Sequence, residues 1–374
     1  MRVGFEMISA GSLLEEGQGG AAGYYEGILP PLLEDPRVAS LVLYVARRYE
    51  RARDWRHPKL EVRLCPVPRA RPQRVAYEQL AIPHQARRDG VDVLFSTANY
   101  RPLAYRGANV VGLHAIQHFL LGDDIGRVRS AYLRFAVPRS VRTADVTIAG
   151  SETLRREAIR LFGLDPERIV TVPLGPAPWI SEAVEAEPYR TPGGEPYVLS
   201  ISRLYALKNH RRLIEAFARL GDLPHVLVIA GGDADVTRAE LAEIARRLGI
   251  GDRVLLLGRV PQVEVRDLYA GADAVAYVSL WEGFGHPVLE AFGTGRPLLT
   301  SSAGATAEVA GGAARMADPE QVDEIAAGLR DVLTDPALRE RLVVAGRRRL
   351  RDFSWEACAR GTVDALALAL ERRR

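Results

Sequence analysis

Lysine is almost absent. Lys59 and Lys208 are the two among 50 basic residues, and arginine supplies the rest. Arginine serves wherever positive charge alone suffices, so a retained lysine marks a place for a compact ammonium that a planar guanidinium does not replace. That singles out Lys208. Cysteine is equally scarce: Cys65 and Cys358 stand far apart, without metal-ligand spacing, and as buried or free thiols they fit a reducing compartment. No apolar run approaches the roughly 18 residues of a membrane-spanning helix, and the start MRVGFEMISAGSLLEEGQ has no signal-peptide core, so a cytoplasmic location is expected. Excess charge is lacking too. A formal +3 gives weak grounds for a polyanion partner such as nucleic acid. No His/Cys/Asp cluster has ligand spacing, so metal-independent chemistry is expected. The Asp-x-Asp at Asp233 and Asp235 lies in a strand-to-helix connection and reads as a turn with an N-cap.

What is present is alternation. With 374 residues, 47% of them hydrophobic and 26% charged, the chain is expected to form two soluble domains. Short β-branched runs such as VASLVLYVA, ADVTIAGS and HVLVIAG alternate with amphipathic stretches, which predicts parallel sheets covered on both faces. The proline-rich segment 176–196 interrupts the alternation. The expected division is an α/β domain over 1–176, a linker over 177–196, a second α/β domain over 197–353, and a last helix over 354–374. Ligands of such sheets bind outside the carboxyl ends of the strands, so two facing domains would enclose a cleft there. From Arg37 to Arg74, eleven basic residues face three acids, a local net of +8. This stretch is a solvated face or a contact with anionic lipid at the inner membrane face.

The most informative stretch is SLWEGFGHPVLEAFGTGRP, Ser279 to Pro297. Pro287 suits a first helical turn. Gly283 and Gly285 allow close approach of the backbone to a ligand, and the N–H groups of a helix start favour an anion. Glu290 falls one turn inside that helix, placed to accept two hydrogen bonds from a vicinal diol such as a ribose. Glu282 stays on the preceding loop. The pattern predicts a sugar-nucleotide pocket. Arg203 and Lys208 follow the first strand of the second domain.

EGFGHPVLEA resembles the E-x7-E signature of retaining glycosyltransferases with the GT-B fold, closest to glycosyltransferase family 4. ISRLYALKNHRRLIEAFARL, RVAYEQLAIP with DVLFSTANYRPL, VVGLHAIQHF and FSWEACA resemble further segments of that family in the same order. The resemblance implies two doubly wound Rossmann-like domains facing each other across a cleft, the first binding acceptor and the second a nucleotide sugar. It implies that Arg203 and Lys208 meet the diphosphate, that Glu290 holds the ribose, and that Glu282 touches the donor sugar. Gly283, Phe284, Gly285 and His286 would complete the phosphate and sugar contacts, with Gly258 and Val260 framing the base. His114 would point toward the donor. Gly19, Gly20, Tyr24, Tyr100 and His118 would line the acceptor side, the tyrosines as sugar-stacking rings. Two departures fall on the acceptor side and hinge: Ala115 stands where an aspartate is common, and PLGPAP puts Pro176 and Ala177 where the family has valine and aspartate. The implied reaction is retaining sugar transfer without metal, GDP-mannose being the first donor guess. The acceptor would be a saccharide, lipid-linked or small-molecule hydroxyl. A hydrolysing nucleotide-sugar epimerase and a catalytically silent sugar-nucleotide-binding subunit are the rival readings.

Overall fold

The computed structural model describes residues 1–8, 20–48, 56–120, 127–180 and 186–374. The chain divides into two compact units, Met1–Gly175 with Ser354–Arg374, and Pro176–Phe353.

The first unit holds strands β1 (Arg2–Glu6), β2 (Ser40–Ala46), β3 (Leu60–Cys65), β4 (Val93–Ser96), β5 (Ala108–Leu113), β6 (Val146–Ala149) and β7 (Ile169–Thr171), with helices α1 (Gly20–Glu34), α2 (Arg71–Arg88), α3 (Gln117–Leu120), α4 (Arg127–Thr143) and α5 (Glu152–Phe162). The strands form one sheet in the order β3-β2-β1-β4-β5-β6-β7, every neighbouring pair parallel. β1, β2, β4, β5 and β6 are buried almost throughout. This is why their sequences are continuous apolar runs rather than alternating ones. α5 has a Ser151 N-cap bonded to the Leu154 N–H (3.1 Å) and ends at Gly163 in the left-handed region, so both ends are defined locally.

The second unit holds β8 (Tyr197–Ile201), α6 (His210–Ala218), β9 (Val226–Ala230), α7 (Arg238–Arg247), β10 (Val254–Gly258), α8 (Gln262–Gly271), β11 (Ala274–Tyr277), α9 (His286–Gly293), β12 (Leu298–Ser301), α10 (Gly304–Ala310), β13 (Arg315–Ala317), α11 (Val322–Thr334) and α12 (Pro336–Leu350). Its parallel sheet runs β10-β9-β8-β11-β12-β13. In each sheet the order reverses beside the first strand, between β1 and β4 and between β8 and β11. A doubly wound sheet opens its ligand crevice at that place.

The last helix, α13 (Trp355–Glu371), belongs to the first unit. Ser354 caps it by accepting from the Ala357 N–H (3.1 Å), and Cys358, Val363 and Leu366 are buried. The Trp355 indole fills space left by two glycines: a Cβ on Gly27 would stand 2.0 Å from that ring, and one on Gly175 2.6 Å.

Three expectations are revised. The segment expected as a linker is part of the second unit, because its aromatics anchor it: Trp179 is buried near the Tyr269 ring (5.8 Å), and the Tyr189 N–H donates to the Asp267 carbonyl. Arginines of the basic stretch form ion pairs within the first unit. Arg37 pairs with Asp35 and Asp364, and Arg63 with Glu61 and Asp89, while Arg51 and Arg53 lie outside the described residues. The N-cap after Asp235 is Thr237, in a capping box with Glu240; Asp233 braces Arg238 and Asp235 accepts from the Ala206 N–H. Strand β13 and helix α10 have no counterpart in the sequence reading. No described helix is long and apolar enough to cross a membrane.

Candidate functional site

The strand-reversal point of the second sheet gathers the chemistry. Lys208 follows β8 and Glu282 follows β11. The Lys208 Nζ donates to Glu282 Oε1 (2.6 Å) and to the Tyr277 hydroxyl (2.9 Å), and that hydroxyl lies 2.6 Å from the same carboxylate oxygen. Both charged side chains are largely buried, at 16% and 13% exposure. Burial alone would lower the Lys208 ammonium, but the Glu282 charge and the two hydrogen bonds outweigh it and hold the group above the ordinary lysine value.

Asn209 fixes this lysine. It is buried and left-handed (φ 62°), and its Nδ2 donates to the Val278 carbonyl (3.1 Å) and the Pro319 carbonyl (2.6 Å). An amide is one of the few side chains that tolerates this backbone and repays it with local hydrogen bonds. The Leu280 N–H also donates to the Leu207 carbonyl (2.8 Å), so the loops carrying Lys208 and Glu282 are tied twice.

Gly285, at φ 99°, opens α9; a Cβ there would stand 2.9 Å from the Thr306 methyl. Glu290 lies one turn on, and its Oε2 accepts from the Tyr269 hydroxyl (2.7 Å). Burial pushes the Glu290 carboxyl up to about 7, against the pull of that hydrogen bond. The Phe284 ring is buried between His286 and Phe353, so it packs the loop rather than facing a ligand. Gly283 is buried and His286 partly so. Arg203 is exposed, its guanidinium 5.3 Å over the Tyr205 ring, and outside the Lys208 cluster. Gly258 ends β10, the edge strand of the sheet, and Val260 is buried two residues further on. Gly258 is tied to the β8 end through Gly231: its carbonyl accepts from the Gly231 N–H (2.7 Å), and a Cβ on Gly231 would lie 1.7 Å from the Ser202 carbonyl oxygen.

In the first unit, His114 follows β5. Asn99, left-handed at φ 66°, accepts through Oδ1 from the N–H groups of His114 (2.7 Å) and Ala115 (3.2 Å). Burial lowers the imidazole to about 4, opposed by a hydrogen bond to the Thr97 backbone, so His114 is neutral near pH 7. Tyr24 and Tyr100, expected as stacking rings, are buried. Tyr24 packs edge-on to His114 (4.9 Å) and Trp355 (5.8 Å), and the Tyr100 hydroxyl donates to Glu78 Oε2 (3.1 Å). Gly20 begins α1, Gly19 lies outside the described residues, and His118 lies in α3 with its side chain outside them. No group of three His, Cys, Asp or Glu able to hold a metal occurs among the described residues.

Sequence reasoning missed Tyr277, Tyr269, Asn209 and Glu78. Tyr277 ends an apolar run that reads as core, and Tyr269 falls in a short helical stretch, QVEVRDLYAG, with no motif around it. Asn209 had a signal in its adjacency to the one lysine singled out.

The family model described as Glycosyl transferases group 1 matches residues 182–349, and Glycosyltransferase Family 4 matches residues 38–176. O-antigen chain mannosyltransferase B of Escherichia coli is 31% identical over 294 residues, covering 72% of this chain and 75% of that protein. The fold is similar to sucrose-phosphate synthase from Thermosynechococcus elongatus (TM-score 0.75, 17% identity, 97% and 98% of the two chains). It is also similar to Anabaena HepE in complex with UDP and glucose (TM-score 0.71, 20% identity, 98% and 99%). With two doubly wound units and both family patterns along its length, the chain belongs to glycosyltransferase family 4, has the GT-B fold, and is a glycosyltransferase that uses nucleotide sugars.

Proposed function

We propose that the protein transfers a hexose, with retention at the anomeric carbon and without metal, from a nucleoside-diphosphate sugar to a saccharide, lipid-linked or small-molecule hydroxyl. GDP-mannose is the first donor to test, because the E. coli relative is a mannosyltransferase. The observation that carries the reading is the Lys208–Glu282–Tyr277 cluster, with Glu282 on the loop that leads into α9 and Glu290 inside that helix. The α9 N–H groups and Lys208 neutralise the departing diphosphate, Glu290 takes the ribose diol, and Glu282 takes donor-sugar hydroxyls. A cation aimed at developing charge is worth roughly 10²–10³ in rate. Glu282 serves poorly as a covalent nucleophile, since one oxygen already accepts from both Lys208 and Tyr277. Arg203 supplies a second cation to the diphosphate, and neutral His114 offers a hydrogen bond rather than a charge.

The test is nucleoside diphosphate release from a panel of GDP-, UDP- and dTDP-sugars, with and without candidate acceptors, and NMR of the product's anomeric proton. Release dependent on acceptor and a product of unchanged anomeric configuration are expected. Tight binding of donors with no release from any of them would sink the enzyme reading, and an inverted product would sink retention.

A further inference from the structure

The strand-reversal point of the first sheet, between β1 and β4, holds a polar cluster that the donor chemistry does not use. Glu78, on α2, is 2% exposed. Its Oε2 accepts from Tyr100, but its Oε1 has no hydrogen-bond partner, and the nearest cation, Arg74 Nε, stands off at 3.6 Å. Arg74 Nε is itself buried without a hydrogen bond, as is the hydroxyl of Ser96 at the end of β4. Ser96 is the register partner of Glu6, the buried carboxyl that ends β1. Tyr132 of α4 packs edge-on against Tyr100 (5.6 Å, 84°). Buried polar atoms are paired in the great majority of cases, and a partly satisfied buried network costs free energy unless something completes it.

The donor–acceptor character of the unmet atoms defines what completes them. Arg74 Nε can only donate, and Glu78 Oε1 needs a partner across a gap wider than a hydrogen bond. One group that accepts from the first and donates to the second is a hydroxyl. A cation would meet Arg74, and an anion would meet the Glu6 charge. Burial and the Glu6 charge push Glu78 up to about 8, against the pull of Arg74 and Tyr100, so the carboxyl holds its proton at neutral pH and offers both donor and acceptor character.

We propose that Arg74 and Glu78, backed by Tyr100 and Ser96, form a hydroxyl-binding subsite that holds a neutral saccharide acceptor in the first unit. The assignment rests on the glycosyltransferase reading and adds to it the residues that choose the acceptor. Glu78 and Arg74 position the acceptor; they are not assigned a part in bond making.

Saturation-transfer NMR and calorimetry with the full chain test it. The probes are the methyl α-glycosides of mannose, glucose and galactose, with myo-inositol, and GDP and UDP as a separate measurement. At least one sugar should bind the wild type. Glu78→Leu and Arg74→Met should weaken it at least about tenfold, the loss of one well-placed hydrogen bond. Glu78→Gln, the neutral isostere, should retain most of the binding, a rescue that a merely structural role for the carboxyl would not single out. Arg74→Met removes only a partly exposed side chain, so it gives a reading if Glu78→Leu fails to fold. Nucleotide binding with no sugar binding, or sugar binding equal in all variants, overturns the subsite and leaves an internal water as the completing group. A protein that binds neither sugar nor nucleotide overturns this subsite and the functional reading together.

Discussion

Glu290 carries a proton that nucleotide binding should expel. Its carboxyl stands at about 7, raised by burial from the usual 4.5, with one hydrogen bond from Tyr269. A ribose diol donating to the ionised form would draw that value back down. Calorimetry of GDP or UDP binding near pH 6.5, in buffers of different ionisation enthalpy, should therefore show release of a fraction of a proton. Glu290→Gln should abolish that release and weaken binding about tenfold or more. The stability sign follows from linkage. Between about 4.5 and 7 the folded form binds more protons at this site than the unfolded form, so stability falls as pH rises through that window, by up to about 3 kcal/mol, and is flat above it. Glu290→Gln should flatten the slope in urea melts. Lys208 makes the complementary case. Lys208→Ala should cut turnover roughly 10²–10³-fold with a smaller change in donor affinity. It should also destabilise the second unit by about 3 kcal/mol, because Glu282 keeps a largely buried charge without its partner. Lys208→Met combined with Glu282→Gln should recover much of the melting temperature and none of the turnover. Near-full turnover of Lys208→Ala would remove this lysine from the diphosphate.

At the scale of elements, the helix start at α9 is where backbone geometry and site coincide. Gly285→Ala forces a Cβ into φ 99° and to within 2.9 Å of Thr306, which should cost about 1–3 kcal/mol and weaken nucleotide binding. Gly249→Ala is the control: it is equally left-handed (φ 72°), but its Cβ would meet nothing within 4 Å. It should lose about 1 kcal/mol at most and leave binding unchanged, as read by melts and titration. Equal effects would separate the α9 start from the nucleotide. The same elements show what a sequence discloses. Strands such as VLVIA and VTIA are legible because both faces are buried, and no alternation confuses them. RMA and GATAEVA are not, because three residues at a sheet edge and seven small ones carry too little periodicity. The sequence singles out Glu282 and Glu290 because glycines and a proline punctuate it around them. Tyr277 is not singled out, since AVAY looks the same whether its last ring packs inward or turns its hydroxyl to an ion pair. Glu78 was hidden differently: in RVAYEQL a glutamate beside a tyrosine reads as the wet face of a helix, and only the fold shows it buried.

For the whole molecule, the consequence lies in the order of the chain. The second unit is continuous from Pro176 to Phe353, whereas the first is completed by residues 354–374, which arrive after the second has been made. Helix α13 places the Trp355 indole in the space of Gly27 and Gly175 and buries Val363 and Leu366, and Arg373 pairs with Asp145 of the same unit. Burying two or three large side chains is worth about 5 kcal/mol, comparable to the whole stability of a domain. A chain ending at Phe353 should therefore keep a second unit that folds and binds GDP or UDP, while its first unit loses cooperative near-UV and hydrogen-exchange protection. A fragment of residues 176–353 alone should melt as one transition and bind the nucleotide with affinity within a few-fold of the full chain. Supplying residues 354–374 as a peptide should restore protection to the first unit of the truncated chain, and Trp355→Ala in that peptide should abolish the effect. Full protection of the first unit without the peptide would show that α13 is an ornament of that unit rather than part of its core.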